Sequence, residues 1–215
     1  MTTTPSASDN GGRSAVVAQV ASRIMRLLPR RVVAAVWSLT RQRSGRLVRY
    51  ARPAMLVRLG AHVGRDVSVA ADTHLLHISG LALGSRVNIH EMCYIDAAGG
   101  ITIGDQVMIA HGASILSASH RIDQPGKAFM DQGYTFSKTT IGNDVWIGAK
   151  ATIVGGVTIG DHVVIGANSV VTRDLPAHVV AAGSPARVVR HLDPASSVSL
   201  RDESPSRGMR SPARE

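Results

Sequence analysis

Aromatic side chains are scarce in this 215-residue sequence, at 3%, and there is a single cysteine. One cysteine excludes an intramolecular disulfide and a cysteine-rich zinc site, and it fits a reducing, cytoplasmic compartment; with no metal-demanding spacing among the histidines either, no metal is expected. Cys93 itself reads as a small core residue. With few aromatics the core must rest on Val, Ile, Leu and Ala in narrow layers, and 21 glycines supply tight corners, a combination that suits a solenoid. An apolar content of 44% argues against a chain disordered throughout. Long hydrophobic runs are also missing: no stretch approaches the roughly 20 residues of a membrane span, and arginines divide those that exist.

Acidic residues are absent between Asp9 and Asp66, where twelve arginines fall. The formal charge of +9 is therefore concentrated towards the ends of the chain. This arginine stretch lacks interleaved aromatics and any recognisable nucleic-acid module, so no nucleic-acid partner is expected. Residues 1–14 are polar, rich in turn formers and aperiodic, and are expected to be disordered. Residues 15–55 form a basic helical extension. Within it, AVVAQVASRIMRLLPRRVVAAVWSL has apolar residues at helical spacing broken at Pro29, which predicts two short amphipathic helices. Two readings of them stay open: packing on the main domain or a neighbouring subunit, and peripheral contact with an anionic membrane, which at the inner face would keep the protein cytoplasmic. After Leu192 the tail (192–215) is low in apolar residues, mixed in charge and expected to be disordered.

Residues 56–191 follow another rule. Ile141, Ile147, Ile153, Ile159, Ile165 and Val171 sit six apart, and Ile103, Ile109 and Ile115 repeat the pattern earlier. Glycine follows the aliphatic residue at Gly64, Gly84, Gly104, Gly142, Gly148, Gly160 and Gly166. A period of six is explained if each hexapeptide makes one short strand and one corner, three of them closing a triangular coil with every sixth side chain inward. Neither a helix of period 3.6 nor an alternating strand gives this spacing. The expected fold is all-β, a parallel β-helix of hexapeptide repeats behind an N-terminal amphipathic helical extension. One long excursion, LSASHRIDQPGKAFMDQGYTFSKTT, interrupts the repeat between Ile115 and Ile141, and a solenoid has no structural need for it.

The density of the [LIV]-G-x-x-x-x motif over about residues 55–190 resembles the hexapeptide-repeat acyltransferases, and Asn88–Arg190 looks most like the maltose, galactoside and exopolysaccharide O-acetyltransferases. The resemblance implies a left-handed winding, acetyl-CoA as acyl donor and a homotrimer with donor grooves between subunits. It also implies that His120, at the start of the excursion, is the general base that takes a proton from the acceptor hydroxyl. Histidine suits that task because its pKa lies near neutrality.

By the same resemblance Asn88 and Asp96, eight apart in NIHEMCYID, bind the acceptor. Trp146, Ala149, Ala167, Thr172 and Arg173 line the donor groove, and Arg187 and Arg190 in GSPARVVR meet the CoA phosphates, a role that guanidinium forks fill well. The other eight histidines show no metal-binding spacing. Two departures bear on the acceptor: Arg121 follows His120 where many sugar enzymes have proline, and the basic front end does not match the maltose enzymes. A lipid-linked or polysaccharide acceptor fits those departures better than free maltose. The alternatives are an amino sugar, amino acid or antibiotic acceptor, or a catalytically silent β-helix scaffold.

Overall fold

The structure, a computed structural model, describes residues 10–192; residues 1–9, and all but Leu192 of the tail expected over 192–215, lie outside them. Three helices come first: α1 (Asn10–Leu27), α2 (Arg30–Thr40) and α3 (Arg46–Leu59). Pro29 separates the first two, as a residue without an amide hydrogen and with fixed φ should. The helical region starts at Asn10 rather than at Ala15 and runs beyond residue 55, with a third helix that the spacing of apolar residues did not single out.

Nineteen short strands follow. Fifteen of them form three parallel faces, one strand of each face per coil. The first face carries β1 (His62–Val63), β4 (Leu81–Leu83), β7 (Ile101–Ile103), β12 (Thr139–Ile141) and β15 (Thr158–Ile159). The second carries β2 (Ser68–Val69), β5 (Asn88–Ile89), β8 (Met108–Ile109), β13 (Trp146–Ile147) and β16 (Val163–Ile165), and is extended by β18 (Val179–Gly183) and the antiparallel β19 (Ala186–His191). The third carries β3 (His74–Leu76), β6 (Tyr94–Asp96), β9 (Ser114–Leu116), β14 (Thr152–Ile153) and β17 (Val170–Val171). The remaining pair, β10 (Ala118–His120) and β11 (Tyr134–Phe136), makes a hairpin in the long excursion.

The inward residues stack in register. Leu83, Ile103, Ile141 and Ile159 make one ladder, and Val69, Ile89, Ile109, Ile147 and Ile165 another; all nine are buried. Beside the corner into the third face the column narrows to Thr73, Cys93, Ala113, Ala151 and Ser169, also buried. Cys93 is therefore the small core residue its context suggested, and burial pushes its thiol up to about 11. The glycines at one corner are explained by approach between coils. A Cβ at Gly104 would stand 2.7 Å from the Gly142 carbonyl oxygen of the next coil, closer than real Cβ atoms come.

The corner from the third face back to the first absorbs every length variation. Leu76, Asp96 and Leu116 are in register, as are Leu81, Ile101 and Thr139. Between them the chain takes 77–80 in the first coil, 97–100 in the second and 117–138 in the third. The excursion is thus one corner enlarged. Its root is fixed: buried Ser117 donates to the Asp96 carbonyl (2.7 Å), and Thr139 donates to the Leu116 carbonyl (2.6 Å). Inside the excursion, buried Gln132 accepts from the Gln124 amide and donates to the Lys127 carbonyl.

α3 closes the bottom of the coil stack. Leu56 is fully buried and joins the core with Met55 and Ala61, and the chain leaves the helix through Gly60, whose φ of 112° needs glycine. Arg52 ties the parts together. It is 2% exposed and donates to the carbonyls of Val69 (3.0 Å), Thr40 (2.7 Å), Arg41 (2.8 Å) and Arg43 (3.0 Å). Burial pulls its pKa down and Asp72 pulls it back up. Replacing Arg52→Met leaves these carbonyls without a donor, and should cost on the order of 3 kcal/mol in urea unfolding. Arg52→Lys, which keeps the charge but not the fork, should recover only part of it.

Candidate functional site

Two groups of side chains stand out, on different sides of one protomer. The first is a strip along the outer surface of the second face. Cross-strand pairing puts Ser68, Asn88, Met108, Trp146, Val164, Val180 and Arg190 in a single outward column, each beside the next. Two strand steps separate Asn88 from Trp146 and three separate Trp146 from Arg190, about 10 Å and about 14 Å at the usual strand spacing. Asn88 is half-buried and accepts from the Ser68 hydroxyl, whereas Met108 and Trp146 are exposed despite being large.

Beside the lower end of this strip lies a cleft of about 690 Å³ between α1, α3 and the coil stack, with Tyr50, Arg65, Arg86, Asn88 and Met108 among its walls. Ala149 and Ala167 follow the second face at the next corner, in consecutive coils, where the Asn168 amide donates to the Ala149 carbonyl (2.8 Å). Arg187 pairs with Ala182 across the β18–β19 hairpin and is exposed close to Arg190. Thr172 and Arg173 are set apart from the strip: they are exposed just after β17, at the end of the third face.

The second group surrounds His120, the last residue of β10. Its imidazole packs on Tyr134, with ring centroids 4.3 Å apart, and Tyr134 continues to Phe136 at 6.3 Å. All three are exposed. Arg121 turns away from the imidazole and forms a two-pronged ion pair with Asp123 at 3.1 and 2.9 Å, which holds that carboxyl below the usual range. Asp96 does not contact His120. Among the described residues it is engaged by His77 instead, with Nδ1 2.7 Å from Oδ1, and it also accepts from the Ala98 amide. Asn88 and Asp96 therefore lie on different faces of one protomer, although the sequence puts them eight apart.

Tyr134 and Phe136 were not singled out as site residues from the sequence. The signal was present: with Phe129 they put three of the chain's seven Phe, Tyr and Trp residues into the excursion. Ile122, Phe129 and Met130 are exposed there as well, an apolar surface on a segment that projects from the solenoid. No group of three or more His, Cys, Asp or Glu among the described residues is arranged to hold a metal ion.

A test of the core assignment follows from Cys93. The native protein should leave Cys93 unmodified by a thiol reagent at pH 8, where a thiol raised to about 11 is almost wholly protonated, and react fully once unfolded.

Comparison with known proteins agrees with the architecture. Residues 138–173 match the family described as bacterial transferase hexapeptide (six repeats). The galactoside O-acetyltransferase of Escherichia coli K12 is 36% identical over 142 residues, 66% of this chain and 69% of that protein. Other curated relatives, named as probable or putative acetyltransferases, are spanned over 43–55% of their length. Among solved structures, the hexapeptide-repeat acetyltransferase VCA0836 of Vibrio cholerae, complexed with acetyl-CoA, superposes with a TM-score of 0.64 at 26% identity, over 89% of this chain and 93% of that one. A galactoside acetyltransferase in complex with CoA gives 0.64 at 25% identity, over 89% and 87%. With its three-faced coil stack, its single enlarged corner and this degree of identity, the chain belongs to the hexapeptide-repeat acetyltransferases, in the group that includes the galactoside and maltose enzymes.

Proposed function

We propose that the protein transfers an acetyl group from acetyl-CoA to a hydroxyl of a saccharide or lipid-linked saccharide, at a site shared by two protomers of a trimer. The observation that carries this reading is the separation just described. The donor strip with Trp146 and Arg190 is on the second face, and His120 is on a corner excursion beyond the third. A neighbouring protomer whose excursion lies over the strip unites them. The exposed apolar residues of the excursion, Phe129, Met130 and Phe136, are the surface that such docking would bury.

In this site the CoA phosphates meet Arg187 and Arg190, and the pantetheine arm runs down the strip past Trp146, with Ala149 and Ala167 at its edge. The thioester then lies towards Met108 and Asn88, and the adjoining cleft receives the acceptor. Thr172 and Arg173, at the end of the third face, belong to the donor's outer end. His120 of the neighbour accepts the proton of the acceptor hydroxyl, and the oxygen attacks the thioester carbonyl. Collapse of the tetrahedral intermediate breaks the C–S bond, and the imidazolium returns the proton to the thiolate, giving the acetyl ester and CoA. Tyr134 packs against the imidazole with its ring tilted by 37° and limits its orientations. Asp96, held by His77, acts in this scheme on the acceptor rather than on the base.

CoA release from acetyl-CoA with a panel of sugars, glycolipids and amines should depend on His120, and His120→Ala should lower turnover at least about a hundredfold while CoA still binds. Retained turnover in that variant would remove His120 from the chemistry. The shared site has its own test. Trp146→Ala and His120→Ala proteins, each nearly inactive, should regain part of the activity when unfolded and refolded together, since mixed trimers contain some sites with neither defect. Strictly additive activity would overturn the shared site.

A further inference from the structure

The outer face of α1 has no role in this scheme, and among the described residues nothing covers it. Ala21 is buried and Met25 and Leu28 pack on the core, so the inner face of the helix is already apolar. Yet Val16, Val20, Ile24 and Leu27 are 59%, 52%, 49% and 86% exposed. At i, i+4, i+8 and i+11 these four fall within an arc of about 80° on the opposite flank from Ser22. Arg23 borders that stripe, about 20° beyond Val16, and Arg26 lies about 60° further round, towards Ser22; both are exposed.

The charge around it is of one sign. Arg30, Arg52 and Arg58 spend their guanidiniums on backbone carbonyls of α2, α3, the first coil and the α1–α2 link at Leu28. Arg49 lies near Glu91 and Arg41 near His74. Among the described residues, however, no hydrogen bond or ion pair involves Arg23, Arg26 or Arg31. Nothing on the three helices neutralises them, because the sequence has no acidic residue from 10 to 65.

We infer that this face of α1 docks on an anionic lipid bilayer, with Val16, Val20, Ile24 and Leu27 entering the interface and Arg23, Arg26 and Arg31 meeting the headgroups. An apolar stripe with arginines along one flank suits an interfacial helix, because the guanidiniums remain in the headgroup layer while the aliphatics leave water. A second copy of the helix is the poorer occupant, since a symmetric pairing would bring the same arginines against each other. No helix of the described residues is long and apolar enough to cross a membrane, so the contact is peripheral.

The full-length protein should co-sediment with vesicles of mixed phosphatidylcholine and phosphatidylglycerol at low salt and much less with phosphatidylcholine alone. Ile24→Asp with Leu27→Asp, and separately Arg23→Glu with Arg26→Glu, should each lower the bound fraction at least about tenfold, with unchanged circular dichroism and unchanged oligomer mass. Raised salt should weaken the intact protein's binding. Three results would overturn the inference: no binding to anionic vesicles, undiminished binding by both variants, or variants whose defect is a change in oligomer mass. These readouts do not involve acetyl transfer, so they stand or fall separately from the proposed reaction.

Discussion

Everything in this molecule depends on parallel backbone pairing between successive coils. A two- or three-residue strand has no stability by itself, and each one in the three faces exists because a neighbouring coil offers it a partner at about 4.8 Å. That spacing forces the other features. It demands stacked aliphatics inside, since any residue on an inward rung sits under its counterpart. It demands glycine where the Gly104 corner meets Gly142, because a side chain would fill the gap that the hydrogen bonds require. It also leaves both ends of the stack with open edges: α3 with Leu56 covers the first coil, and the antiparallel β19 finishes the second face.

A stack of this kind is rigid along three faces and permissive at its corners, which shapes where function can arise. The corner after the third face varies from two residues (155–156, in the fourth coil) to the whole 117–138 excursion without disturbing the ladders, since Ser117 and Thr139 clamp the root of the excursion. The second face, by contrast, is a ruler: Asn88 and Trp146 stand at fixed heights along the stack, two strand steps apart. The proposed site divides its parts between this rigid ruler and the projecting corner, and for that reason the proposed scheme takes its two halves from different protomers.

The helical extension follows the same logic of covered and uncovered surfaces. Its inner face seals the coil stack and is tied down by Arg52, an arginine used as a structural donor. From the sequence, packing on the domain and contact with a membrane were alternatives for these helices. The two faces of α1 make them compatible: Ala21 and Met25 pack inward while Ile24 and Leu27 remain in solvent.

The sequence by itself determined the β-helix, because a repeat of six writes the inward rung directly into the chain, from Ile141 through Val171. It also marked the excursion, at whose start His120 stands, since a break in so regular a pattern is visible without coordinates. Tertiary structure alone decided which side chains meet. Asn88, Trp146 and Arg190 are 58 and 44 residues apart, and only the lengths of the intervening coils align them in one column. Asp96, eight residues from Asn88, goes instead to another face and to His77, because a triangular coil turns a short separation in sequence into a change of direction. Nor could composition distinguish Arg52 from Arg23: their chemistry is the same, and burial against four carbonyls makes one a structural tie and leaves the other facing solvent.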